Sequence, residues 1–117
     1  RVLLGGLNDA QLSSYLARVE LKALTTRTVT NAAKLRRIIA ADREQGYSWV
    51  SGEMQEHIAG LSVPVLDPRG RIIAAINASV NRPDVAEKAL ITRTLPRLRR
   101  AAQQMSASIA ITGRPPR

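Results

Sequence analysis

The 117-residue chain has no cysteine and no phenylalanine, and only one histidine and one tryptophan. Without cysteine there can be no disulfide framework, no thiolate nucleophile and no cysteine zinc site, a composition suited to a reducing compartment. With aromatic residues at 3%, the core has to be assembled from Leu, Ile, Val and Ala, and little is left for stacking on nucleic-acid bases. No apolar run approaches the ~20 residues of a membrane span, and the first residues lack the pattern of a signal peptide. A cytoplasmic protein with no membrane partner is expected. The lone His57 has no cysteine and no suitably spaced carboxylates around it, so neither a metal nor another cofactor is expected.

What is present is ordinary for a globular chain: hydrophobic residues at 44% and charged residues at 23%, enough for one domain. The charge balance is lopsided, with 18 basic against 9 acidic residues and a formal net charge of +9. Such a surplus invites nucleic acid, since phosphate binding rests on Lys and Arg density. Its distribution tempers that reading. The basic residues are spread along the chain, with one dense cluster at Arg93, Arg97, Arg99 and Arg100, and no helix-turn-helix pair is visible. A solvated helix face explains such a cluster as simply.

The opening "RVLLGGL" starts on apolar residues with no cap, as though the chain entered in the middle of a helix. "NDAQLSSYLARV" pairs Asn8 with Gln11 in a capping-box arrangement, followed by Leu12, Tyr15, Leu16 and Val19 on one face. A second helix is expected from a cap at Thr30 or Asn31, through Leu35, Ile38 and Ile39, to a stop at Gly46. "HIAGLSVPVL" and "RIIAAINASV" read as two strands of a hairpin joined by Asp67-Pro68-Arg69-Gly70, the residue preference of a type I turn. A long helix then begins near Pro83. Ile91, Leu95, Leu98, Ala102, Met105 and Ile109 form its apolar stripe, and Pro96 inside it should kink or divide it. Residues 1–112 are expected to be the C-terminal part of a domain truncated at its N-terminus, and 113–117, "GRPPR", a disordered tail.

The hairpin raises the functional question. If the turn pairs Leu66 with Arg71, then Leu61, Val63 and Val65 lie opposite Ile76, Ala74 and Ile72, a wholly aliphatic core face. On the other face Gly60 lies opposite Asn77, Ser62 opposite Ala75, and Ile58 opposite Ser79. Small side chains with a few hydrogen-bonding groups leave the volume and donors that a ligand cavity needs. An exposed sheet face on which Asn77 merely finishes the strand fits the pattern equally well.

Several motifs in order decide between these readings: Gly46-Tyr47, Glu53, "LSVPV", Gly70 and "AAINAS". This run resembles the C-terminal effector-binding domain of IclR-type (isocitrate lyase regulator) transcriptional regulators, over nearly the whole chain, with "TLPRLRRAAQQMSASI" similar to the family's last helix. "LPRLRRAA" and "AAIN" are most similar to the branch that regulates aromatic catabolism through the beta-ketoadipate pathway. The resemblance implies an α/β (α+β) GAF- or profilin-like domain with an antiparallel sheet flanked by helices. It implies a small organic or aromatic acid as effector, and a homodimer or tetramer that meets DNA through a winged helix-turn-helix outside this chain. It places effector contacts at Gly60, Asn77 and Ser79, the face already singled out, to which alternation adds Ser62. It further points to Trp49 and Val50 before the Glu, although Trp49 fits core packing as well. His57 departs from the family, which usually has Gly there.

No catalytic constellation accompanies these features. Glu53 and Glu56 have no nucleophile or metal cluster beside them, and Glu53 is expected to fix backbone donors in its loop. "GLSVP" lacks the second Gly of a nucleophile elbow, so Ser62 is no hydrolase candidate. The competing reading is a basic nucleic-acid-binding or dimerisation module acting through the Arg93/Arg97/Arg100 face or the Ile91–Ile109 stripe.

Overall fold

In the computed structural model, residues 1–53, 56–81 and 87–112 are described, with side chains through Ile109. A 3-10 turn, Leu3–Gly6, stands where a continuing helix was expected. Two glycines end it, and the chain leaves through an extended Leu7. Helix α1, Asp9–Arg18, begins behind a complete capping box: the Asn8 Oδ1 accepts from the Gln11 N–H at 2.8 Å, and the Gln11 Oε1 accepts from the Asn8 N–H at 3.0 Å. Helix α2, Ala32–Gln45, is capped by Asn31, whose Oδ1 accepts from the Lys34 N–H, and stops at Gly46 with φ +83°. Leu12, Leu16 and Ile39 bury the shared side of α1 and α2, with Leu4, Leu7, Tyr15, Val19 and Leu35 packed around them.

Three antiparallel strands follow: β1, Ser48–Ser51; β2, Ile58–Leu66; and β3, Ile72–Asn81, in the order β1-β2-β3. β1 begins opposite Ser62, and Pro64, with no N–H to offer, stands just beyond. In the turn the Gly70 N–H donates to the Asp67 carbonyl at 2.9 Å, as expected, with Gly70 at φ +79°. The register departs from the expectation by two residues: Gly60 faces Ser79, Ser62 faces Asn77, and Val63 faces Ile76. Two single-residue steps produce the slip. Gly70 adds one by its left-handed turn position, so that Asp67 and Arg71 close the loop, and a bulge between Val65 and Leu66 adds the other. Because side chains alternate with period two, a shift of two returns Gly60, Ser62, Asn77 and Ser79 to their expected face. Ile72, where the shift is only one, instead pairs with Leu66 and lies against Gly6 rather than opposite Val65.

Helix α3, Glu87–Thr112, covers the aliphatic face and runs through Pro96 as one element rather than dividing there. Pro96 is exposed, while Leu95 and Leu98 on either side of it are anchored in the core. The stripe is therefore internal packing: Leu95, Leu98 and Ala102 meet Leu61, Val63 and Val65, with Ile91 and Ile109 alongside. Met105 departs from it and is 46% exposed. Burial of each large aliphatic side chain contributes about 1.5–3 kcal/mol, so this layer holds the sheet rigid beneath its other face. The expected helix start near Pro83 and the tail 113–117 lie outside the described residues.

Candidate functional site

The second face of the sheet carries two polar rows. In one, Val50, Gly60 and Ser79 lie side by side across β1, β2 and β3; in the next, Ser48, Ser62 and Asn77. Gly60, Ser62, Asn77, Ser79 and Val50 are thus brought together on one surface. Asn77 and Ser79 are exposed, and Gly60, Ser62 and Val50 half-buried, so the expected cavity is here an open shelf. Beyond its end, Val2 and Gly5 of the N-terminal turn, with Pro64 and Ile72, leave only a cavity of about 40 Å³.

A chain of hydrogen bonds orders the shelf. The Ser62 hydroxyl donates to Asn77 Oδ1 at 2.9 Å, and Asn77 Nδ2 donates to Ser79 Oγ at 2.9 Å. This polarity fixes the amide: its acceptor is occupied from below, while its second N–H and the Ser79 O–H remain as donors. Two adjacent donors and no charge suit an acceptor ligand such as a carboxylate. Gly60 is part of the same device. A Cβ built there would lie 3.0 Å from Asn77 Oδ1, so a side chain at 60 would press directly on the amide.

At the β1 end of the second row, Ser48 is 1% exposed and donates to Asp42 Oδ2 at 2.9 Å. Burial pushes the Asp42 carboxyl above the usual aspartate value, against the opposing pull of the Ser48 hydroxyl and Arg1. Arg1 approaches Asp42 at 4.0 Å, pairs with both carboxylate oxygens of Glu53, and donates to the Trp49 carbonyl at 3.4 Å. The sequence suggested that Glu53 fixes backbone donors; among the described residues its carboxylate instead pairs with Arg1. The Gly52 and Glu53 carbonyls accept from the Thr25 and Thr28 hydroxyls. This clamp went unforeseen, because its partners lie 52 residues apart and no local pattern joins them.

Trp49 is separated from the other candidates. It pairs with Leu61, which pairs with Ala78, so its side chain points to the α3 side and packs against the core. Strand alternation places Val50 on the polar shelf and Trp49 behind it; a single strand cannot present both to one ligand. Its indole nitrogen is buried without a partner among the described residues. His57 and Glu56 are exposed in the turn before β2. Among the described residues no three His, Cys, Asp or Glu side chains could hold a metal ion, and no helix is long and apolar enough to cross a membrane.

One face of the antiparallel sheet is thus sealed by α3, and the other carries small polar side chains ordered by hydrogen bonds. Residues 1–107 match the family of bacterial transcriptional regulators defined by the IclR C-terminal domain, and the chain belongs to that family. It is 34% identical over 105 residues to the Pca regulon regulatory protein of Pseudomonas putida, covering 90% of this chain and 36% of that one. Among solved structures, a transcriptional regulator from Rhodococcus sp. RHA1 superposes with a TM-score of 0.92 at 29% identity, over 97% of this chain and 46% of that one. The inducer-binding domain of a PobR double mutant from Acinetobacter, in complex with 3-hydroxybenzoic acid, gives a TM-score of 0.85 at 30% identity, over 90% and 60%. The chain spans little more than a third of the length of the curated regulators it matches.

Proposed function

We propose that this chain senses a small organic or aromatic acid for a cytoplasmic transcriptional regulator. The acid binds on the shelf of Gly60, Ser62, Asn77, Ser79 and Val50. Asn77 and Ser79 supply donors to a carboxylate or ring hydroxyl, Gly60 lets the ligand approach the backbone, and Val50 adds an apolar wall. The observation that carries this reading is the oriented hydrogen-bond chain from Ser62 through Asn77 to Ser79, which leaves two donors facing outward. The benzoate-type ligand of the PobR domain supports the class of effector, as do the Pca regulators and the p-hydroxybenzoate hydroxylase activator among the relatives. DNA is read by a separate winged helix-turn-helix, and the acid shifts the population of arrangements within a homodimer or tetramer.

A thermal-shift panel tests it with 3-hydroxybenzoate, 4-hydroxybenzoate, protocatechuate, pyruvate and a neutral benzyl alcohol. An acid present at about 100 times its dissociation constant stabilises by about 2.7 kcal/mol, a shift of several degrees. Stabilisation by at least one acid and none by the alcohol is expected. Equal shifts with acid and alcohol would remove the carboxylate from the assignment, and no shift with any acid would overturn the reading.

A further inference from the structure

Sensing leaves one feature of the molecule unused. Leu95, Leu98 and Ala102 set the rotation of α3 on the sheet, and at 3.6 residues per turn Arg93, Arg97 and Arg100 then project from the opposite side. All three are exposed, and among the described residues none pairs with a carboxylate. Arg99, by contrast, turns toward α2, where its Nη2 donates to the Gln45 carbonyl at 3.4 Å.

The row is costly to the helix that carries it. Like charges three and four residues apart destabilise an isolated helix by about 0.2–0.5 kcal/mol per pair, and an ordinary solvated face intersperses acids. Here Glu87, at the very start, is the single acid of α3. From Arg93 to Arg100 the helix advances about 10 Å, a length over which duplex DNA carries about six phosphate charges. Guanidinium forks match phosphate oxygens bidentately, and no aromatic side chain lies in α3 to stack on bases. That combination fits backbone contact with a duplex rather than single-strand or base-specific reading.

We propose that the outward face of α3 binds the phosphate backbone of duplex DNA through Arg93, Arg97 and Arg100, without sequence preference. The face lies on the side of the sheet away from Asn77 and Ser79, so DNA and effector are held independently. The +9 chain thereby adds affinity to whatever domain reads the operator.

Fluorescence anisotropy with a labelled short duplex of arbitrary sequence, at stepped salt, tests the proposal. Wild type binds with an affinity that falls steeply with salt. The triple variant R93Q/R97Q/R100Q lowers the slope of log affinity against log salt by about 0.9 per lost contact, up to about 2.7 in all. The corresponding triple lysine variant retains the slope, and R97Q alone, which leaves the core untouched, lowers it by about 0.9. An unchanged slope in R97Q and in the triple glutamine variant would overturn the proposal. So would tighter, equally arginine-dependent binding to polyglutamate at the same ionic strength, which would point to an acidic protein instead.

Discussion

The two faces of the β2–β3 hairpin are built from alternate residues of the same strands, yet they are different kinds of surface. On one, Leu61, Val63 and Val65 are at most 2% exposed beneath α3; on the other, Gly60 and Ser62 are half-buried and Asn77 and Ser79 open. The difference is one of purpose in the physics. A packed face gains from every methylene it hides, whereas a face of small polar groups gains little by burial and instead holds donors in fixed positions. Under the proposed function the packed side supports the shelf, since a site is only as well positioned as the layer behind it.

Adjacent substitutions sharpen that contrast most. Leu61→Ala opens a void against α3 and is expected to cost about 2–5 kcal/mol, while Ser62→Ala, one residue along, should cost no more than about 0.5 kcal/mol. Urea denaturation of the two variants checks this, and similar midpoints would break the division of the faces. Gly60→Ala comes next. Its new methyl lies 3.0 Å from Asn77 Oδ1, so the amide must move, and loss of one directed hydrogen bond weakens acid binding by about tenfold. The φ of Gly60 is not positive, so stability should change little.

The smallest effects are in pH. Asp67 accepts from the Arg71 and Arg69 N–H groups and from the Arg71 side chain. These bonds, foremost that from the Arg71 backbone, hold its carboxyl below the usual aspartate value. Its contribution to stability is present above that usual value and lost as pH falls through the depressed folded one. Asp42 has the opposite sign: raised by burial, it favours the fold when protonated and loses that advantage as pH rises through its folded value. Melting curves across the acid range should therefore show Asp67→Asn removing part of the acid-side loss and Asp42→Asn part of the loss toward neutral pH.

Much of this was legible in the sequence, and for local reasons. The Asn8–Gln11 box, the Asn31 cap, the Gly46 stop and the Asp67–Gly70 turn are set by residues three or four positions apart, and all appear as read. Period-two alternation placed Gly60, Ser62, Asn77 and Ser79 on one face even though the pairing itself was off by two, because the error was even. The register could not be read, since the bulge at Val65/Leu66 leaves over Ile73, an ordinary strand-forming residue. Trp49 was offered to the ligand and the core alike, and the β1 register assigns it to the core. Pro96 does not divide α3, whose Leu95 and Leu98 pack in the core on either side of it. The Arg1–Glu53 pair belongs wholly to tertiary structure.

The central claim is that the polar shelf, and not the packed face or the basic helix, receives the effector. Isothermal calorimetry with the acid that gives the largest thermal shift, on wild type, Ser79→Ala and Asn77→Leu, tests it most directly. Loss of the Ser79 hydroxyl should weaken binding by about tenfold or more, as befits a hydrogen bond to a charged group. Asn77→Leu should abolish the binding heat, with the urea midpoints of both variants close to wild type. Equal affinity in all three proteins would contradict the account and move the ligand off this face.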